Sequence, residues 1–238
     1  MRREQDLRQD AGGTCGAGGP GLLLLRFQLR DAEVLITHFH GRACMDLQAE
    51  VAAGGVRDIL IAIMIVGPRK LERVAALRRW ADPIIACDHF AQVEPLAAMC
   101  RARGVEVRVL IEVNVGLDRV GVSPGRDTLE LAQAIDRLQG VKLAGIMGYE
   151  GHLLQVPEPA EKERKIRENM ALLVSCKEQL LKAGLPCDIV SAGGTGSYQY
   201  TVKCPGITEV QAGGGIFMDP YYRVKCQVGE LDYALTVL

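Results

Sequence analysis

From Asp58 onward, short apolar runs rich in β-branched residues alternate with longer amphipathic stretches, the pattern of repeated β-α units around a parallel sheet. Ile59–Val66 reads ILIAIMIV, and Ile84–Cys87, Val107–Val115, Leu143–Tyr149, Asp188–Ser191 and Thr208–Ala212 are similar, nearly continuous apolar runs. Strands buried on both faces have this character. The stretches between them predict helices, each punctuated by proline or glycine. Pro68–Trp80 opens on a proline in its first turn, Phe90–Arg103 stops at Gly104, Pro124–Leu138 stops near Gly140, and Pro159–Ala183 stops at Gly184. An earlier unit, Val34–Ile36 followed by Met45–Ala53 and Gly54-Gly55, adds a seventh strand. Ala11–Gly21 is dominated by glycine and reads as loop or disorder.

These units predict an α/β fold of the (β/α)8 barrel type that lacks its first strand. The length of 238 residues suits one such domain. Residues 1–32 read as an irregular or divergent N-terminal segment and residues 33–230 as the barrel. Residues 231–238, LDYALTVL, form a strand-like run that stops in mid-pattern. Truncation at both ends, with a C-terminal β-domain missing, accounts for both features.

Composition narrows the partners. With a formal net charge of -1 there is no electrostatic reason to expect nucleic acid or an anionic membrane, which leaves a small molecule as the ligand. Eight cysteines, Cys15, Cys44, Cys87, Cys100, Cys176, Cys187, Cys204 and Cys226, are scattered without a C-x-x-C pair and read as reduced thiols in a cytoplasmic protein. Gly21–Leu25 is far shorter than the roughly 18 apolar residues of a membrane span. Met1–Asp10 carries charges of both signs and lacks the apolar core of an export signal.

The chemistry concentrates in two glycine-rich loops on consecutive units, Gly193-Gly194-Thr195-Gly196 and Gly213-Gly214-Gly215. As loops after the last two barrel strands, they stand where such folds hold phosphate with backbone N–H groups. Glycine lets a phosphate oxygen approach the main chain, and the Thr195 hydroxyl adds a donor. Two tight turns needing only conformational freedom are the plainer alternative. Arg119, in GLDRVG just past a strand, can hold an anionic or phenolic oxygen or else pair with Asp118 in solvent. Tyr149, Glu150 and His152, in GYEGH, bring a ring, a carboxylate and an imidazole to one rim, the imidazole being suited to proton exchange near neutrality. His38 and His40 share one face of an extended segment but have no third ligand nearby, so they read as exposed polar residues and no metal site is assigned. Trp80 reads as outer-ring packing.

Five segments in order and spacing carry a resemblance: DILIAIMIVGP (58–68), IEVNVGLDRVGV (111–122), LAGIMGYEGH (143–152), SAGGTGSY (191–198) and TEVQAGGGIFMD (208–219). From about Ala49 to Leu238 the chain resembles the fold-type III pyridoxal-phosphate (PLP) enzymes, in the group of D-threonine aldolase, D-3-hydroxyaspartate aldolase and D-serine dehydratase, which share the alanine racemase N-terminal barrel. MGYEGH leans toward the aldolases. The resemblance implies that Gly194, Thr195, Gly196, Gly213 and Gly214 hold the PLP phosphate, that Arg119 approaches the phenolic oxygen, and that Tyr149 and Gln211 lie beside the cofactor. It further implies cleavage of a D-β-hydroxy amino acid such as D-threonine to glycine and an aldehyde, with a divalent metal as Lewis acid. With His152 from the residue reading above, Arg119 and Tyr149 make up the catalytic candidates. A homodimer is an expected assembly.

Two departures stand against that activity. Members of the group carry the cofactor covalently on a lysine of the first barrel strand, in an Arg-Pro-His-x-Lys type segment, whereas no lysine precedes Lys70 here. Lys70 opens a helix and is expected to face outward. The metal ligands of the group belong to the C-terminal β-domain, which would begin near Leu231. The expectation is therefore a chain inactive as a lyase. The alternatives are a noncatalytic PLP- or phosphate-binding protein, a D-serine dehydratase, or an amino-acid racemase of the same fold.

Overall fold

Alternation along each strand decides which side chains face the helices and which face the sheet's other side. In the computed structural model, which describes the backbone of residues 26–29 and 32–35, residue 52 and residues 55–233, Ile59 and Ile61 of the strand Asp58–Met64 join the large cluster under the helices. Leu60 between them joins a smaller cluster on the opposite face, with Ile84, Ala86, Leu110, Ala144 and Met147. Both faces are thus apolar, as the near-continuous runs require.

The strands are β1 (Arg26–Leu29), β2 (Ala32–Leu35), β3 (Asp58–Met64), β4 (Asp82–Cys87), β5 (Val107–Glu112), β6 (Val141–Met147), β7 (Ile189–Ala192) and β8 (Glu209–Val210). The helices are α1 (Pro68–Leu77), α2 (Phe90–Ala102), α3 (Arg126–Asp136), α4 (Pro159–Lys182) and the short α5 (Tyr198–Thr201). All seven expected strands are present. The sheet runs β1-β2-β8-β7-β6-β5-β4-β3, with β1 antiparallel to β2 and every other pair parallel. β2 therefore lies beside β8, in the place a first barrel strand would take, and among the described residues no ladder joins β2 to β3. The α/β barrel sheet is open at that point.

Local chemistry shifts several boundaries. β5 stops at Glu112 because Asn114 gathers the following turn, its Oδ1 accepting from the N–H groups of Gly116 (3.0 Å) and Asp118 (3.2 Å). α3 begins at Arg126, two residues after the proline expected to open it, since Gly125 has φ 87°, outside the helical region. A register shift between β5 and β6 brings Gly145 opposite Leu110, where a Cβ would stand 1.9 Å from the Ile189 carbonyl oxygen. Only glycine fits that bulge. Trp80, expected in the outer packing, is 67% exposed. His38, His40, most of the expected helix at 45–53 and residues 234–238 lie outside the described residues.

Candidate active site

The register of β7 against β8 pairs Ser191 with Glu209 and Ala192 with Val210, so the loops leaving the two strands emerge side by side. The first contact between them is the Gln211 N–H, which donates to the Gly193 carbonyl at 2.9 Å. A second is the Gly215 N–H, which donates to Thr195 Oγ1 at 3.0 Å. Gly193 itself has φ 77°, a conformation that glycine adopts without strain. Among the described residues the N–H groups of Thr195, Gly196 and Gly214 have no acceptor, although Thr195 and Gly196 are buried and Gly214 is half-buried. Buried amides without partners are rare, and a cluster of them in glycine loops is chemically suited to accept an anion.

Two aromatic rings fit against these glycines. A Cβ on Gly194 would lie 2.9 Å from the Tyr149 ring, and one on Gly214 would lie 2.4 Å from the Tyr222 ring. Behind the first loop sits Glu150, fully buried, which accepts from the Gly193 N–H at 3.2 Å and from the Thr201 hydroxyl at 2.8 Å. The Gly194 N–H is held by Ser197 Oγ at 3.0 Å. Below the second loop, Gln211 Nε2 donates to Ser191 Oγ (2.8 Å), which donates to Glu209 (2.5 Å). The Gln211 side chain is thus tied to the strand ends.

Arg119 does not pair with Asp118, whose carboxylate accepts from Asn114 Nδ2 at 2.8 Å. Its guanidinium lies 5.5 Å from the centroid of the Tyr149 ring and 3.8 Å from Glu112 Oε1. Glu112 ends β5 nearly buried, and burial pushes its carboxyl up to about 7, with Arg119 opposing and Asp88 adding to the shift. Burial also raises the Tyr149 phenol, which stays neutral at ordinary pH. His152 is exposed and turns elsewhere, its Nε2 3.3 Å from Asn169 Nδ2 and close against Gly116. The structure therefore brings Arg119, Tyr149, Gly194, Thr195, Gly196, Gly213 and Gly214 together beyond the strand ends, ties Gln211 to the same strands, and turns His152 away toward Asn169 and Gly116.

Sequence reasoning did not single out Glu112 or Tyr222. Glu112 had a signal, as the lone acid in the apolar run VLIEVNV. Tyr222, in DPYYRVK, had none. Among the described residues no three His, Cys, Asp or Glu side chains gather as a metal site would need, and no helix is long and apolar enough to cross a membrane.

Residues 32–220 match the family model of the alanine racemase N-terminal domain. The chain is 34% identical to D-threonine aldolase of Arthrobacter sp over 181 residues, covering 76% of this chain and 48% of that protein. It is 32% identical to D-threo-3-hydroxyaspartate dehydratase of Delftia sp. (strain HT23), covering 78% of this chain and 49% of that one. The crystal structure of D-threonine aldolase from Filomicrobium marinum superposes with a TM-score of 0.71 at 30% identity, over 78% of this chain and 50% of that chain. The chain spans about half the length of the curated relatives it matches.

Proposed function

This chain belongs to the alanine racemase N-terminal domain family, and on that footing we propose that it is the PLP-binding barrel of a lyase acting on D-β-hydroxy amino acids, holding the cofactor by its phosphate without cleaving D-threonine on its own. The observation that carries the first half is the pair of glycine loops, cross-linked through Thr195 and leaving the Thr195, Gly196 and Gly214 amides without acceptors. A phosphate monoester fits these donors, because it supplies the acceptors they lack.

PLP contributes an electron-accepting pyridine ring for cleavage next to an amino-acid Cα. The protein's residues bind and orient it. The amides of Thr195, Gly196 and Gly214 take the phosphate oxygens. Arg119, near the Tyr149 ring that packs on Gly194, would offer a cation for the phenolic oxygen and is restrained by Glu112 and that ring. Tyr149 excludes water from one side, and its neutral hydroxyl is a donor rather than a base.

The second half rests on the lysines. β2, the strand beside β8, reads AEVL, and no lysine precedes Lys70, which is exposed at the start of α1. Without a lysine at that strand, neither covalent attachment nor the proton transfers that depend on it has a residue to perform it. Equilibrium dialysis with PLP, run beside an assay for glycine and acetaldehyde from D-threonine, tests both halves. Saturable PLP binding with no aldehyde above the protein-free blank is expected. Turnover would overturn the second half, and absence of binding the first.

A further inference from the structure

The glycine loops are covered by a third segment, in which Met218, Cys226 and Val228 are buried against Leu154, with Tyr149, Tyr198, Tyr222 and Leu231 packed around them. Within it the Tyr222 hydroxyl turns toward the polar seam between the loops. A Cβ on Gly214 would stand 2.8 Å from that oxygen, and the Thr195 side chain lies on the same side. Thr195 Oγ1 accepts the Gly215 N–H, so Tyr222 reaches the point where the two loops are joined and where amides lack acceptors. Packing alone needs only the ring. A hydroxyl aimed into a seam of unsatisfied donors suits an anion that would accept from all of them.

A second observation concerns how that segment is held. Lys162, in the first turn of α4, is fully buried, and its Nζ donates to the Cys226 carbonyl at 2.7 Å. Its other neighbour is the Tyr200 ring, 5.9 Å away at the centroid, and desolvation lowers its pKa. A buried ammonium held by a neutral carbonyl is an expensive arrangement, and such groups are best attested where they fix one geometry. Cys226 closes the turn that presents Tyr222: its N–H donates to the Tyr221 carbonyl at 3.0 Å, and the Val228 N–H donates to the Tyr222 carbonyl at 3.1 Å. Cys226 also abuts the first loop, its Sγ 3.1 Å from where a Gly196 Cβ would be.

We propose that Tyr222 is a phosphate ligand, its hydroxyl donating to an oxygen held by the loop amides, and that Lys162 is the positioning residue that holds Tyr222 over the cradle. The assignment rests on the phosphate-cradle reading above. Tyr222 confers selectivity for phosphorylated over unphosphorylated pyridoxal, because only the former presents an oxygen to it.

The test compares PLP, inorganic phosphate and pyridoxal binding to the full chain and to Tyr222→Phe, Lys162→Met and Thr195→Val. Loss of one hydrogen bond to a charged group is expected to weaken PLP and phosphate binding by about tenfold or more in Tyr222→Phe. Pyridoxal binding should stay within about twofold, since it lacks the group concerned. Lys162→Met should show a smaller loss of the same phosphate-selective kind. Wild-type phosphate binding by Tyr222→Phe beside a weakened Thr195→Val would leave the cradle standing and remove Tyr222 from it. Tighter phosphate binding by Tyr222→Phe would make the hydroxyl a competitor of the anion and overturn the assignment. Unchanged binding by Thr195→Val would instead overturn the cradle itself. Equal losses of PLP and pyridoxal in Lys162→Met would overturn the positioning role.

Discussion

Replacing Glu150 separates the need for its charge from the need for its hydrogen bonds. Its carboxylate is fully buried between the Gly193 N–H and the Thr201 hydroxyl. In Glu150→Gln the amide oxygen keeps the Gly193 N–H, and the amide nitrogen turns to Thr201. The Thr201 hydroxyl can accept there, because it has a second acceptor of its own in the Ser197 carbonyl, 3.3 Å away. What is lost is the charge assistance, about 1 kcal/mol. Glu150→Ala instead strands a buried N–H and leaves a cavity, for a cost of about 3 kcal/mol or more. Urea unfolding followed by circular dichroism should thus show a small fall in midpoint for glutamine and a large one for alanine, at equal slope. Thr201→Val combined with Glu150→Gln should be worse than additive, because the amide nitrogen then has no acceptor. Equal effects of glutamine and alanine would refute the reasoning, as would an effect of alanine below about 0.5 kcal/mol.

Three further outcomes follow from the same structure. The Glu112 carboxyl is raised from 4.5 to about 7 in the folded chain, so the unfolded chain ionises first as pH rises, and stability should fall by up to about 3 kcal/mol across that window; Glu112→Gln should abolish the slope, as read by denaturation midpoints from pH 4 to about 8. Arg119→Met removes the cation that opposes this shift, so the window should move to higher pH, and pyridoxal affinity should fall together with PLP affinity, which titration by visible absorption would detect. Gly145→Ala drives a Cβ to 1.9 Å from the Ile189 carbonyl oxygen and should cost more than about 3 kcal/mol, read as loss of soluble, cooperatively unfolding protein.

The parallel sheet was legible because buried strands cannot hide their apolar runs: Ile59–Ile61, Ile84–Cys87 and Val109–Ile111 are nearly fully buried, as their composition requires. The glycine loops were legible for a related reason, since two rings, Tyr149 and Tyr222, pass too close to Gly194 and Gly214 for any side chain. The position of β2 beside β8 was not, because pairing between strands distant in sequence leaves no local periodic trace. The orientation of His152 toward Asn169 and Gly116 escaped for the same reason, being set by α4 rather than by GYEGH itself. Glu112 and Glu150 show a different limit. Each is an acid beside apolar or small neighbours, and only the tertiary partners, Arg119 for one and the Gly193 amide for the other, tell a buried carboxylate from an exposed one.

The central claim is that the chain holds PLP by its phosphate with no lysine engaged. Its most direct test is to saturate the full chain with PLP, reduce with borohydride, and map pyridoxyl-labelled peptides, with and without excess inorganic phosphate. The account predicts saturable binding that phosphate displaces and no lysine labelled in proportion to occupancy. A single lysine labelled stoichiometrically, or binding indifferent to phosphate, would contradict it.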